Sequence, residues 1–101
     1  MIKHVVSWKI KDEHEGMSKT EVLEKIKSML LALKGKVDVI RTIEVGINDP
    51  LIDASNNDLV LIVTFDNAKD LDTYQKHPEH KLVGAFIGEV RLSRSCVDFE
   101  F

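Results

Sequence analysis

Apolar and polar residues alternate from Ile2 to Lys11. Ile2, His4, Val6, Trp8 and Ile10 share one face, and Lys3, Val5, Ser7, Lys9 and Lys11 share the other. A period of two predicts a strand whose apolar face carries a single imidazole. Asp12 to Gly16 reads as a polar turn. Ser18 and Glu21 then form a capping box, with Met17 and Val22 as the flanking hydrophobic staple. Val22, Leu23, Ile26, Met29, Leu30 and Leu33 recur at helical spacing, so the helix packs on a sheet, and Gly35 is its expected C-cap. Val37 to Ile47 predicts a second strand, its alternation weakened by Arg41. Turn formers mark a long loop from Asn48 to Asn57. Leu59 to Phe65 is apolar on both faces, Leu59, Leu61, Val63 and Phe65 on one and Val60, Ile62 and Thr64 on the other, which predicts a central strand.

Asp66 and Asn67 cap the next helix, whose inner stripe is Ala68, Leu71 and Tyr74. Pro78 cannot continue it, because the proline ring collides with the carbonyl four residues back, that of Tyr74. His77 is pushed out of the helical region, and a second helix is expected to start with Pro78. On an unbroken helix Tyr74 and His80 would lie about 120° apart, and the break allows them to converge. Gly88 is expected to close that helix. The last strand runs over residues 89–101, with Val90, Leu92, Arg94 and Cys96 on one face and Arg91, Ser93, Ser95, Val97 and Phe99 on the other.

Strand, helix, strand, strand, broken helix, strand is the order of a ferredoxin-like βαββαβ sandwich of the α+β class, helices on one face of an antiparallel sheet. The face carrying Val60 and Ile62 then has nothing in the chain to cover it, and Val5, Ile40 and Val97 are expected to join it. Such a patch marks a partner surface, for which sheet-to-sheet homodimerisation is the economical answer.

The 101 residues make a single domain, 1–101, with an ordinary 44% hydrophobic and 31% charged content. A net charge of −3 and scattered cations argue against a nucleic-acid surface. The lone Cys96 suits a reducing cytosol and is expected to be a small buried hydrophobe. No segment reads as a signal peptide or a membrane span, so a cytoplasmic protein is expected.

His80 falls in the first turn of the helix begun by Pro78, where the positive helix end favours a neutral imidazole able to accept a proton. Tyr74 would stand beside it as a proton donor. His4 projects to the same side of the sheet, and Val6, Trp8, Leu59, Leu61 and Phe86 are expected as pocket wall. This is equipment for acid–base chemistry on a small apolar or carbonyl-type ligand, with no cofactor and no metal: His77 and His80 lack the spacing of a helical zinc pair. Each residue also has a structural reading. Tyr74 fits a core residue with a satisfied hydroxyl, His4 a hydrogen-bonded core histidine, and His77 a helix cap. Arg41 and Arg94 are expected to pair with Glu44, Asp98 or Glu100. The rivals to an enzyme are a non-catalytic stress-response or binding module, and a haem-handling barrel ligating iron through His80 or His4.

Several stretches resemble the stress-responsive A/B barrel (Dabb) family: Ile2-Lys3-His4-Val5-Val6, Ile43-Glu44-Val45-Gly46, Asp58-Leu59-Val60-Leu61, Tyr74-x-x-His77-Pro78-x-His80 and Ser93 to Phe99. The resemblance implies a dimeric α/β barrel in which two sheets pack face to face. In the family's polyketide-cyclase branch the tyrosine and second histidine of this motif form the acid–base pair, and a strand-1 histidine lines the pocket. By motif position those roles fall on Tyr74, His80 and His4. Two positions depart from that branch: Leu59 stands where it has a further pocket histidine, and Trp8 takes space a substrate tail would need.

Overall fold

The computed structural model describes residues 1–101. Strand β1 (Ile2–Ile10) leads into a small hairpin of β2 (Glu13–His14) and β3 (Met17–Ser18), turned by Glu15 and Gly16 at φ 48° and 83°. Left-handed residues at both turn positions suit a two-residue hairpin. Ser18 then caps α1 (Lys19–Ala32) through a complete capping box with Glu21. A short 3₁₀ turn follows, then β4 (Thr42–Ile47), a one-turn helix α2 (Pro50–Asp53), β5 (Leu59–Phe65), α3 (Ala68–Lys76), α4 (Pro78–Val90) and β6 (Arg91–Glu100).

The four long strands order as β4-β5-β1-β6, all antiparallel, the ferredoxin-like arrangement expected from the pattern. One side of the sheet presents Val6, Trp8, Ile10, Val45, Leu59, Leu61, Val63 and Phe65 to a core closed by the helices, to which α1 gives Val22, Ile26 and Leu30 and α4 gives Val83, Ile87 and Val90. Each such side chain contributes roughly 1.5–3 kcal/mol by leaving water. Buried Asp58 ties β1 to the loop before β5: its backbone N–H donates to the Trp8 carbonyl at 2.8 Å and its carboxylate accepts from Ile10 N–H at 2.8 Å. That pair of bonds fixes the β1 backbone around Trp8.

Several expectations change. The second strand begins at Thr42, because Val37 to Ile40 turns back on itself, with the Ile40 amide donating to the Val37 carbonyl. Val37 and Ile40 are apolar because they plug the core from a loop, so Ile40 does not lie on the free face. Gly35 ends the 3₁₀ turn rather than capping the helix in a left-handed conformation. Ala68 is exposed, and only Leu71 and Tyr74 form the buried stripe of α3. Gly88 does not close α4, which runs to Val90 and passes directly into β6. Arg41 pairs with Asp66, through two contacts of 2.7 Å, and not with Glu44. Cys96 is exposed, because β6 is the edge strand and the helices do not reach across it.

The opposite sheet face carries Val5, Val60, Ile62, Val97 and Phe99 with no element of the chain over it. Val97 and Phe99 are 61% and 43% exposed. A Cβ at Gly46 would meet a Val60 methyl at 3.2 Å, so the glycine keeps that face level.

Candidate functional site

The chain break is built as the steric reading requires. His77 is at once the last cap of α3 and the N-cap of α4, with extended dihedrals (φ −65°, ψ 135°). Its Nδ1 accepts the Glu79 N–H at 3.1 Å, which makes His77 a structural residue and leaves His80 in the first turn of α4. The bend seats the His80 ring against Tyr74 with centroids 4.4 Å apart.

These two rings border a cavity of about 190 Å³ between sheet and helices. His4, Val6, Trp8 and Leu61 form its sheet side, and Leu30 and Tyr74 close it from α1 and α3. From α4 it is lined by His80, Val83, Gly84, Ile87 and Gly88, spaced i, i+3, i+4, i+7 and i+8 on one helical face. Arg91 and Arg94 stand where it meets β6.

Two expected wall residues are elsewhere. Leu59 is buried in the core beside Trp8 on β5, away from β6 and the cavity. Phe86 lies about 200° round the helix from Gly84. It is partly buried against the core on another side of α4, edge-on to His14 at 6.0 Å and under the Lys25 ammonium at 4.4 Å. The sequence reading also missed Gly84 and Gly88. An added Cβ at either would meet nothing within 4 Å, so these glycines leave the cavity open at a helix cost of about 1 kcal/mol each. Two glycines four apart in an otherwise apolar helix are the signal that marks them.

The electrostatics differ from group to group. The Tyr74 side chain is fully buried and its hydroxyl has no hydrogen-bond partner within the protein. Burial pushes its phenol well above the usual range, so it stays protonated and keeps a proton to donate to a ligand. His80 Nδ1 donates to the Gln75 carbonyl at 3.2 Å, leaving Nε2 as an acceptor. Burial holds the His80 imidazole below its ordinary pKa, and the charges of His4, Arg94 and His77 push the same way against the Gln75 carbonyl. His4 is buried on β1, and its Nδ1 donates to the Asp98 carboxylate across the β1–β6 pair. A carboxylate can only accept, so it fixes Nδ1 as the donating nitrogen and sets the ring's orientation. Asp98 is thus an orienting residue that became visible only with the strand register.

Cys96 Sγ lies 3.7 Å from both His4 Nδ1 and Asp98 Oδ1, and these three side chains are the set whose donor types could hold a metal ion. The expectation of no metal weighed only His77 and His80. A metal here would have to displace the His4–Asp98 hydrogen bond.

Tyr74 is the only tyrosine, so the alkaline absorbance of tyrosinate reports it alone. A raised phenol pKa adds stability that is fully present below the ordinary value near 10 and is lost as pH rises through the folded value. Tyrosinate absorbance should therefore appear above pH ~10 and together with loss of helical circular dichroism. Titration at the ordinary value in the folded protein would contradict the buried, unpartnered hydroxyl.

A four-stranded antiparallel sheet with helices on one side and a histidine–tyrosine cavity beneath them defines the class as ferredoxin-like α/β sandwiches. More narrowly, the chain belongs to the stress responsive A/B barrel domain family, whose profile matches residues 2–101. A dimeric protein of unknown function and ferredoxin-like fold from Bacteroides fragilis is 38% identical, with a TM-score of 0.85 over 99% of this chain and 95% of that one. A dimeric ferredoxin-like protein of unknown function from Thermobifida fusca is 21% identical, with a TM-score of 0.82 over 99% and 90%. The hydroxynitrile lyase of Passiflora edulis is 13% identical, with a TM-score of 0.79 over 97% and 90%, a likeness of fold alone. No protein of curated function matches the chain. No helix is long and apolar enough to cross a membrane.

Proposed function

We propose that the protein is a homodimer whose subunits each bind a small carbonyl compound with an apolar body, and that Tyr74 and His80 carry out cofactor-free proton transfer on it. The observation that carries this is the buried Tyr74 hydroxyl without a partner. A stranded polar group of this kind costs about 1–3 kcal/mol, which a ligand oxygen accepting its proton would recover. The cavity is below the ~300–1,000 Å³ of drug-sized pockets, so the ligand is small.

The chemistry follows from the two protonation states. Tyr74 donates to the carbonyl oxygen of the ligand. His80 Nε2, neutral, accepts the proton from the adjacent carbon; the C–H pair moves into the new C=C bond, and charge gathers on the oxygen held by Tyr74. Return of the proton to carbon or to a leaving group completes an isomerase- or lyase-type step. His4, oriented by Asp98, offers a second polar contact on the sheet side. The Passiflora protein shares the scaffold and is a lyase, which makes the scaffold compatible with such chemistry. The haem alternative loses support, because a cavity of this size does not admit a porphyrin. A purely binding role remains the second reading, favoured by the apolar wall; it differs only in whether the ligand brings a removable proton to His80.

Gly88→Phe tests the cavity itself. A Cβ at Gly88 meets nothing within 4 Å and the position lines the cavity, so the variant should melt within a few degrees of wild type while the ring fills the space. Calorimetric binding of 3-heptanone should fall at least tenfold. Equal binding by the variant would place the ligand elsewhere.

A further inference from the structure

We propose that Arg91 and Arg94 form an anion-binding mouth, so that the natural ligand is an oxo acid with its carbonyl at Tyr74 and its carboxylate at the two guanidinium groups. The inference deepens the cavity reading above and rests on it.

The chain has three arginines. Arg41 is held by Asp66, whereas Arg91 and Arg94 line the cavity and have no carboxylate partner. Asp98, on the same strand as both, is engaged by His4. In a chain of net charge −3 two unpaired arginines at one opening are a local reversal of sign. Simple alternation would put residues 91 and 94 on opposite faces of β6. The irregularity beside Lys9 and Ile10 pairs Ile10 with Arg91 and Trp8 with Arg94, so that both stand on the helix side of the sheet. A β-bulge re-aims a side chain in this way, and here it gathers two cations at one rim. Arg91 is also the C-cap residue of α4, where the negative helix end suits a cation. Arg94 has no such role, and its register partner Trp8 is cavity wall. The free sheet face lies on the opposite side, so dimerisation there leaves both arginines open. A planar guanidinium suits a carboxylate, and the apolar Trp8, Leu61 and Val83 of the same cavity wall suit a short methylene chain.

The test is calorimetric titration with 4-oxooctanoate, its methyl ester and 3-heptanone, supported by fluorescence of Trp8, the only tryptophan. Wild type should bind the acid about tenfold more tightly than the ester, as expected for a partly exposed charge-assisted contact. The advantage should shrink at high salt, disappear in Arg94→Gln, weaken in Arg91→Gln and partly return in Arg94→Lys. Each variant is checked by circular dichroism, and unchanged ester affinity shows an intact cavity. Equal binding of acid and ester by wild type, or an acid preference untouched by Arg94→Gln, would overturn the anion mouth while leaving the cavity standing. Failure of all three compounds to bind would remove the cavity reading and this inference together.

Discussion

Ile62→Lys is expected to turn the protein from a dimer into a monomer. The side chain stands on the uncovered sheet face, between Val5 across the strand pair and Val60 two residues away, with Val97 beyond Val5. A two-fold axis through such a face brings the same patch of both copies together, so each substitution enters the interface twice. An ammonium buried there without a partner costs about 3–5 kcal/mol, a weakening of more than a hundredfold even if one copy alone counts. The monomer itself should fold, since Ile62 is only partly buried and belongs to the free face rather than the core. Sedimentation velocity at micromolar concentration should show a dimer for wild type and a monomer for the variant. A wild type that sediments as a monomer, or a variant that remains dimeric, would contradict pairing through this face.

Tyr74→Phe is expected to leave the fold as stable as wild type or more so, and to abolish function. Most truncations of a fully buried side chain destabilise. Here the atom removed is a hydroxyl with no partner, so its loss relieves a penalty of about 1 kcal/mol or more while the ring keeps its packing on Phe65 and His80, with centroids at 5.1 and 4.4 Å. Binding of 3-heptanone should weaken about tenfold, because the carbonyl loses its donor. A melting point several degrees below wild type would mean that the hydroxyl already has a structural partner, and the orphan that supports the proposed function would vanish.

The fold was legible because its signals are steric and periodic. Pro78 forces the helix break, the Ser18–Glu21 box starts α1, and the unalternating Leu59–Phe65 strand lies inside the sheet as its two apolar faces require. Where reading failed, two causes produced the same pattern. Val37 and Ile40 are apolar through burial in a turn, which imitates a strand, and Gly88 opens a cavity from inside a helix rather than ending it. Tyr74, His80, His4, Val6, Trp8 and Leu61 border one cavity, but Phe86 was assigned without following the helix period from His80, which selects Val83, Gly84, Ile87 and Gly88 instead. Asp98, Arg91 and Arg94 depend on register and on one irregular pairing in β6, and neither leaves a trace in the order of residues. For the same reason Cys96 reads as buried on a strand pattern although the edge strand exposes it.

The central claim is proton transfer by His80 to and from a carbon beside a carbonyl held by Tyr74, and exchange of those carbon-bound protons of 3-heptanone in deuterium oxide, followed by proton NMR, tests it most directly. Wild type should exchange them well above the buffer rate. The rate should hold through the ordinary imidazole value of ~6.5 and fall only at lower pH, because burial lowers the folded pKa of the base, which is neutral above that pKa and protonated below it. His80→Ala and Tyr74→Phe should each return the rate to that of buffer. Exchange by wild type no faster than buffer at every pH, with the ketone bound, would leave a binding protein and contradict the catalytic role.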